Sequence, residues 1–305
     1  MRIAVLLPCF NEEAAIARTV AGFRAALPAA TVYVYDNNSR DRTVEVARAA
    51  GALVRSERIQ GKGAVVRRMF ADIDADVYVM ADGDATYDAA SAPALVARLL
   101  EDRLDMIVGS RVHEEAEAYR RGHRFGNKLL TGMLARLFGR SFTDILSGYR
   151  VFSRRFVKSF PSLSAGFEIE TEISVHALEL KMPCAEVETP YFARPEGSAS
   201  KLSTYSDGWR ILVTILTLYR IERPLWYFGA IAAFLLALAV VLAIPLGVTY
   251  AETGLVPRFP TAILVTGLSI VAALSFFAGL ILDTVVRGRR EVRRLAYLAY
   301  PAPGG

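Results

Sequence analysis

The sequence has few of the residues that build disulfide frameworks or histidine metal centres. Only Cys9 and Cys184 occur among 305 residues, so we expect no disulfide framework and a chain suited to a reducing compartment. His113, His123 and His176 lack the spacing of metal ligands, and we interpret them as surface or packing residues. No Gly-x-Gly-x-x-Gly follows the first predicted strand, which argues against a dinucleotide-binding oxidoreductase.

Charge is absent from two long stretches near the carboxyl end, residues 225–248 and 261–282. At about 1.5 Å per residue, the first stretch spans roughly 36 Å as a helix, more than the hydrocarbon core of about 30 Å. A soluble helix rarely lacks charge on every face over such a length. The sequence therefore predicts two transmembrane helices joined by a short hairpin.

The distribution of basic residues predicts the orientation of these helices. Arg220 and Arg223 precede the first stretch and a basic segment at 287–294 follows the second, whereas the connection at 249–260 carries only Glu252 and Arg258. Both termini are then expected on the cytosolic side of an inner membrane. Membrane topology and anionic lipid account for much of the net charge of +5, and no nucleic-acid partner is needed.

The remainder of the chain alternates apolar runs with amphipathic segments, which is typical of a doubly wound α/β domain. The apolar amino terminus is too short for a signal peptide and is interpreted as a first strand. We expect strands at 3–7, 31–35, 77–81 and 106–108 and helices at 12–26 and 42–50. The predicted organisation is a catalytic domain at 1–200, a juxtamembrane linker and amphipathic helix at 201–224, a transmembrane hairpin at 225–284 and a basic cytosolic tail at 285–305.

Two carboxylates follow the apolar run 77–81 in Asp82-Gly83-Asp84. Ligands of such sheets gather beyond the carboxyl ends of the strands, and hard carboxylate oxygens favour Mg²⁺ or Mn²⁺. The pattern predicts a divalent ion that holds a diphosphate, although an Asp-x-Asp after a strand also suits a simple turn or helix cap. Gly61-Lys62-Gly63 would allow a close backbone approach and supply a cation beside the same diphosphate, although alone it suits a plain surface turn.

Four motifs in register, at 7–13, 36–43, 61–63 and 82–84, resemble the family 2 glycosyltransferases of GT-A fold. The segments 109–111 and 144–152 and the paired carboxyl-terminal spans narrow the resemblance to polyprenyl-phosphate glycosyltransferases, the group of dolichol-phosphate mannose synthase and bactoprenol glucosyltransferases. The resemblance implies a donor site in which Asp84 leads as metal ligand and Asp82 contacts ribose or metal. Asn37 departs from the common second acidic residue of the family. The implied donor-binding residues are Pro8, Asn11, Glu12, Asp36, Lys62, Asp82 and Asp84.

The expected acceptor is a lipid phosphate. A phosphate monoester has a second pKa of about 6 and is largely ionised at neutral pH, so a cluster of cations is needed more than a strong base. Arg111 and Arg150 belong to motifs of the family, whereas the remaining candidates rest on sequence proximity. The candidate acceptor-phosphate residues are Arg111, Arg121, Arg124, Arg150 and Lys201.

Asp144 lies where the family has an acidic residue near the reaction centre. It could orient an acceptor arginine, assist the metal, accept a proton or cap the following segment. Glu168, Glu170 and Glu172 are interpreted as a helix start and not as catalytic residues. The catalytic set is thus expected to be Asp84, Asp144 and Arg111.

Together these features predict an inverting enzyme that moves a hexose from a nucleoside-diphosphate sugar to polyprenyl (undecaprenyl) phosphate on the cytosolic membrane face. A UDP-sugar is favoured and a GDP-sugar is possible. Transfer to a hydroxyl acceptor is an alternative, but that chemistry needs a general base, and the Gln-x-x-Arg-Trp element of processive relatives is missing from the sequence. A non-catalytic nucleotide-sugar-binding scaffold is a further alternative, and a homo-oligomer is possible.

Overall fold

The computed structural model describes residues 1–113, 142–162, 168–195 and 220–304, together with residues 132, 135, 136, 213 and 217. The chain divides into two compact units. One comprises residues 1–211 and 292–305, and the other comprises residues 212–291. Most of the predicted linker and amphipathic helix at 201–224 lies outside the described residues.

The first unit is built on a mixed sheet. Across its described residues, seven strands pair in the order β3-β2-β1-β4-β6-β5-β7. The strands are β1 (Ile3–Cys9), β2 (Thr31–Asp36), β3 (Leu53–Ser56), β4 (Val77–Met80), β5 (Met106–His113), β6 (Arg150–Ser153) and β7 (Cys184–Tyr191). The helices of this unit are α1 (Ile16–Ala26), α2 (Thr43–Ala49), α3 (Lys62–Asp72), α4 (Ala92–Glu101), α5 (Arg154–Ser159) and α6 (Ile169–Glu179).

The strand directions place most carboxyl ends at one edge of the sheet. β1 pairs in parallel with β2 and β4, and β5 pairs in parallel with β7, whereas β6 is antiparallel to both β4 and β5. The insertion of β6 makes the sheet mixed and not wholly parallel as in a doubly wound domain. Strands β1, β2, β4, β5 and β7 run in one direction, opposite to β6, and therefore end at the same edge of the sheet.

The core lies on both faces of the central strands, which explains why their sequences are apolar without alternation. Every residue of β4 is buried, and Val5, Leu6 and Leu7 of β1 are fully buried. The α/β prediction is confirmed, and the predicted strands and helices lie within a few residues of the observed ones. Sequence periodicity did not delimit β3, β6 and β7, because their short runs carry charged or aromatic residues.

The second unit contains two long apolar helices, α7 (Pro224–Thr253) and the greater part of α8 (Phe259–Leu298). Their most apolar windows have mean hydropathies of 2.8 and 2.2, and only 11% of each window is buried, so both could cross a membrane. Ala232 and Ala239 are buried on α7, and Ala272 and Gly279 are buried on α8. Pairs of small residues seven apart allow close packing of two helices.

The carboxyl-terminal residues 292–304 pack within the catalytic unit. Arg293 pairs with the buried Glu179, and the hydroxyl of Tyr297 donates to Asp105 over 2.8 Å. The guanidinium of Arg154 lies 5.5 Å from the ring centre of Tyr300. The charge pattern predicted a basic cytosolic tail at 285–305. In the structure, residues 285–298 are the end of α8, and residues 292–304 belong to the same unit as the α/β domain.

Candidate active site

A cleft of about 410 Å³ opens at the sheet edge where the parallel strands end. Ligands of α/β proteins bind at this position. The cleft receives side chains from the ends of β1, β2, β4, β5 and β7 and from the amino-terminal turns of α3 and α6. Its lining includes Pro8, Cys9, Glu12, Asn37, Gln60, Gly61, Lys62, Asp82, Asp84, Tyr87, Arg111, Leu146, Glu170, Tyr191 and Arg194.

The two carboxylates after β4 both face this cleft, as the sequence predicted. Asp84 is only 3% exposed, and its Oδ1 accepts a hydrogen bond of 2.6 Å from the hydroxyl of Thr86. Its Oδ2 lies 2.7 Å from a guanidinium nitrogen of Arg194. Burial and the neighbouring charge of Asp82 raise the pKa of Asp84 above its usual value, although Thr86 and Arg194 oppose the shift. A positive charge near Asp84 therefore stabilises its ionised form.

Lys62, the first residue of α3, lies between two carboxylates. Its ammonium forms ion pairs with Asp82 and with Glu170, the latter over 2.5 Å. Burial alone would lower the pKa of Lys62, but the negative charges of Asp82 and Glu170 outweigh burial and raise the pKa above its usual value. Lys62 therefore remains a cation at any physiological pH, as a partner for phosphate requires.

Two glycines permit the close packing around Asp82-Gly83-Asp84. A Cβ on Gly148 would lie 2.8 Å from Oδ2 of Asp82, and a Cβ on Gly83 would lie 2.4 Å from the sulfur of Cys9. Both separations are shorter than non-bonded contacts allow. The backbone N–H of Gly148 also donates to the hydroxyl of Tyr87 over 2.8 Å. The turn before β6 is thereby held against the carboxylates that follow β4.

Arg111, at the end of β5, forms a two-point ion pair with Asp144. Its Nε lies 2.7 Å from Oδ2 of Asp144, and a terminal nitrogen lies 2.8 Å from Oδ1. Both side chains are largely buried, and the guanidinium lies 5.5 Å from the ring centre of Tyr191. Burial opposes ionisation of Asp144, but the hydrogen bonds and charge of Arg111 lower its pKa below the usual value. Among the interpretations of Asp144, orientation of an arginine matches this contact.

The predicted nucleotide-binding residues divide into two groups. Pro8 and Glu12 line the cleft. Asn11 and Asp36 instead organise the turn after β2, because Asn11 Oδ1 accepts the N–H of Arg40 over 2.8 Å and the Asp36 carboxylate accepts that of Ser39 over 3.3 Å. Their described contacts are those of turn formation.

Arg150 differs from the expectation that it binds an acceptor phosphate. Its side chain is fully buried, and it donates to the carbonyl of Ile145, to that of Ser147 over 2.9 Å and to the hydroxyl of Ser174 over 2.9 Å. Burial lowers the pKa of Arg150 to about 10. The guanidinium therefore stabilises the turn that carries Asp144 by binding its carbonyl groups. The Arg150 side chain is not exposed, so a phosphate could not bind it.

Three further predicted cations, Arg121, Arg124 and Lys201, lie outside the described residues. Their assignment to the acceptor phosphate stays a prediction from the sequence.

The residues present fit a divalent ion that shares its coordination with a ligand. Within the described ranges, no three His, Cys, Asp or Glu side chains converge as a complete metal site. Mg²⁺ and similar ions are commonly bound by one or two carboxylates together with substrate phosphates and water. Asp84 and Asp82 could supply those carboxylates, and such an ion would offset the burial and the charge of Asp82 that raise the pKa of Asp84.

Glu170 and Arg194 line the cleft, although the sequence analysis interpreted Glu170 as part of a helix start and did not name Arg194. Glu170 lies in the first turn of α6, as predicted for a helix start, but it is only 5% exposed and is directed toward Lys62. Arg194 follows β7 and reaches Asp84. The one signal in the sequence was the position of Arg194 just after a strand that ends at the same edge as β4, and that strand was not predicted.

Comparisons with known proteins agree with this geometry. The family model described as glycosyl transferase family 2 matches residues 4–160. The glycosyltransferase AglJ of Haloferax volcanii is 36% identical over 231 residues, which cover 75% of this chain and 76% of AglJ. A dolichyl-phosphate hexose transferase of the same organism is 28% identical over 221 residues, which cover 72% of this chain and 95% of the relative.

A solved structure with the same fold is that of glucosyl-3-phosphoglycerate synthase from Mycobacterium tuberculosis, in complex with Mn²⁺, UDP and phosphoglyceric acid. The TM-score is 0.59 at 24% identity, and the match covers 71% of this chain and 77% of the synthase. At this identity the likeness establishes the fold alone. The α/β domain described above is a GT-A domain, and the chain belongs to glycosyl transferase family 2.

Proposed function

We propose that this chain transfers a hexose from a nucleoside-diphosphate sugar, with a UDP-sugar favoured, to a polyprenyl phosphate on the cytosolic face of a membrane. The observation that carries the proposal is one cleft lined by two chemically distinct groups of residues. Asp82, Asp84 and Lys62 offer carboxylates and a cation for a metal-bound diphosphate, and Arg111 lines the same cleft as a guanidinium held in place by Asp144. Such an arrangement suits two phosphate-bearing substrates that meet at a sugar.

The charges of the donor and of the two aspartates explain why a divalent ion is needed. A nucleoside diphosphate and two aspartates would repel each other, and a divalent ion removes the repulsion. Asp84 and Asp82 would hold Mg²⁺ or Mn²⁺, which would act as a Lewis acid on the departing diphosphate. The solved neighbour with Mn²⁺ and UDP supports this assignment by analogy of fold. Lys62, held between Asp82 and Glu170, would contact the same phosphates.

The acceptor half rests on the Arg111–Asp144 pair. A phosphate monoester is already a nucleophile at neutral pH and needs a guanidinium to hold it, which Arg111 supplies. A hydroxyl acceptor would need a general base instead. Asp144 is a poor candidate for that base, since its ion pair with Arg111 lowers its pKa. Arg121, Arg124 and Lys201 stay proposed additional partners of the acceptor phosphate.

The lipid nature of the acceptor is supported by two further observations. One relative is named a dolichyl-phosphate hexose transferase. Two helices have the length and hydropathy to cross a membrane, and residues on both sides of that hairpin, 1–211 and 292–305, form one folded unit. Two crossings return the chain to the side from which it started, and the basic residues at 287–294 favour the cytosol for that side.

The experiment that tests the proposal is a transfer assay with the purified full chain in detergent. The protein is incubated with Mn²⁺ or Mg²⁺, undecaprenyl phosphate and, one at a time, radiolabelled UDP- and GDP-sugars, and the mixture is extracted with organic solvent. We expect label in the organic phase with one donor, and no such label after addition of a chelator or with an Asp84→Asn variant.

Two results would overturn this proposal. Water-soluble labelled product with a sugar or polysaccharide acceptor, but none with the lipid phosphate, would establish a hydroxyl acceptor. Tight nucleotide binding without transfer to any acceptor would favour a non-catalytic scaffold.

A further inference from the structure

Asn37, directly after β2, uses its whole amide group to hold the segment 57–61. The side chain is 4% exposed, and its Nδ2 donates to the carbonyl of Glu57 over 2.9 Å and to that of Ile59 over 2.8 Å. Its Oδ1 accepts the N–H of Gly61 over 2.7 Å and the side-chain amide of Gln60 over 3.3 Å. A primary amide has two donors and two acceptor lone pairs, so all four are occupied.

An aspartate could not form this set of contacts. An ionised carboxylate only accepts hydrogen bonds, so it would face the carbonyl oxygens of Glu57 and Ile59 without a hydrogen between them. The carbonyls of Glu57 and Ile59 would lose the donor that the buried Asn37 side chain supplies, and the negative charge would be repelled by both. The departure of Asn37 from the acidic residue usual in the family therefore matches a specific local requirement of this chain.

The segment held by Asn37 leads directly into the donor half of the cleft. Gly61 has a φ of +131°, which only glycine adopts readily, and Lys62 begins α3 immediately after it. The backbone N–H of Asn37 is itself bound to the carbonyl of Cys9 at the end of β1 over 2.9 Å. A continuous path of hydrogen bonds thus runs from the central sheet through Asn37 to Gly61, the residue before Lys62.

We infer that Asn37 is a positioning residue of the donor site, a role that rests on the proposed nucleotide-sugar function. It fixes Gly61 and Lys62 relative to Asp82 so that they meet the diphosphate of the donor in one arrangement. Because its amide is fully engaged with the protein, it does not read the nucleobase. Its replacement by an acid weakens nucleotide binding and leaves the central sheet intact.

The test is calorimetric titration of the full chain in detergent with UDP and, separately, GDP in the presence of Mn²⁺. For Asn37→Asp at about pH 7.5, we expect affinity for the bound nucleotide to fall by about tenfold or more, because the segment that leads to Gly61 and Lys62 loses two hydrogen bonds and gains charge repulsion. The control is Asn38→Asp, the same chemical change at the next residue. Asn38 is exposed, although it also donates to Arg58 and Gln60, and we expect less than about a twofold change there.

A pH series separates this role from a general loss of stability. A carboxyl facing two carbonyl oxygens has a raised pKa, and its protonated form regains one donor. The nucleotide affinity of Asn37→Asp should therefore come closer to that of the wild type when the pH is lowered to about 5.5. Melting temperatures and circular dichroism at about pH 7.5 are compared in parallel, so that affinity is read only from folded protein.

Each outcome has a defined meaning. Wild-type protein that binds neither UDP nor GDP overturns the proposed function and this inference with it. Wild-type binding with unchanged affinity in Asn37→Asp, or an equal loss in Asn38→Asp, overturns the role of Asn37 alone. If Asn37→Asp does not fold, Asn37→Ala takes its place, and retention of wild-type affinity by that variant likewise overturns the inference.

Discussion

Arg111 and Asp144 join the end of β5 to the turn before β6 through two hydrogen bonds, 2.7 and 2.8 Å long. The backbone N–H of Asp144 is in turn bound to Glu186 of β7 over 2.9 Å. The guanidinium is thereby fixed at the rim of the cleft by two strands and one turn. Its orientation is set before any acceptor arrives.

Asp144→Asn should impair use of the acceptor more than use of the donor. The amide presents one nitrogen to the guanidinium, so one of the two hydrogen bonds is lost and Arg111 is no longer fixed. We expect the KM for undecaprenyl phosphate to rise by about tenfold, with a change of less than about twofold in the KM for the nucleotide sugar. Asp102→Asn is the control, because Asp102 lies outside the cleft lining and forms an exposed pair with Arg98 over 3.4 Å. An equal rise in both KM values would place the pair in the donor site instead.

Asp84→Asn should lower the rate of transfer by about 100-fold or more, because the isosteric amide is a weak ligand for Mg²⁺ or Mn²⁺. The variant keeps the shape of the side chain and should keep the melting temperature within a few degrees. Asp88→Asn is a matched control, since Asp88 caps the short helix Ala89–Ser91 through the N–H of Ala90. Transfer by Asp84→Asn at the wild-type rate in Mg²⁺ would contradict the metal assignment.

Glu170→Gln should weaken donor binding although Glu170 was not among the predicted site residues. Lys62 would lose one of its two carboxylates, and its ammonium would no longer be held between them. We expect the KM for the nucleotide sugar to rise by about tenfold, measured at saturating acceptor. Glu168→Gln, two residues earlier and outside the cleft lining, should behave as wild type. A result in which both variants match the wild type would make Glu170 a merely structural residue.

His176 should make the domain less stable in mild acid. Burial and the nearby charge of Arg293 lower its pKa from 6.5 to about 3, so the folded state holds the neutral ring. Below pH 6.5 the unfolded chain binds a proton that the folded chain does not, and stability falls as pH drops from about 6.5 toward 3. The loss attributable to His176 is about 1 kcal/mol at pH 5.5.

Replacement by an aromatic residue without a titratable ring isolates this effect. His176 packs edge-on against Phe156 and Phe160 with ring centres 5.3 Å apart, so His176→Phe preserves much of the packing. Its melting temperature in detergent should fall less than that of the wild type between about pH 7.5 and 5.5. If the melting temperatures of the two proteins fell equally over this pH range, His176 would not be the source of the acid sensitivity.

Gly83→Ala should destabilise the domain, and Cys9→Ala should restore it. The new methyl group would lie 2.4 Å from the Cys9 sulfur, whereas its next neighbour, Cδ1 of Ile16, is 3.4 Å away. Overpacking of this kind costs roughly 1–3 kcal/mol, and removal of the sulfur makes room. A double variant that melts no higher than Gly83→Ala would show that the clash lies elsewhere.

The sequence predicted the parts of the site that follow directly from strand ends. Asp82, Asp84 and Arg111 each come at or just after an apolar run, and parallel strands bring such positions to one edge. The α/β class, the two apolar helices and the family all followed from local pattern and motif. These features depend on short stretches of sequence and on a general rule of topology.

The remaining features depend on where side chains point in three dimensions. Arg150 begins a strand beside Asp144 and has the same sequence context whether it faces the cleft or the core, and only the packing of α6 against it decides. Glu170 resembles any acidic residue in a first helical turn until α3 brings Lys62 to it. β6 pairs antiparallel with β4 and β5, which lie far from it in the sequence, and no local periodicity encodes such a pairing.

The contacts of residues 292–304 have a consequence for the order of events during synthesis. Asp105 stands just before β5 and binds Ser153 and Arg155 as well as Tyr297. Tyr297 is translated nearly two hundred residues after Asp105, and only after both apolar helices have been made. The α/β domain therefore cannot complete the contacts of Asp105 until residues 292–304 have been translated.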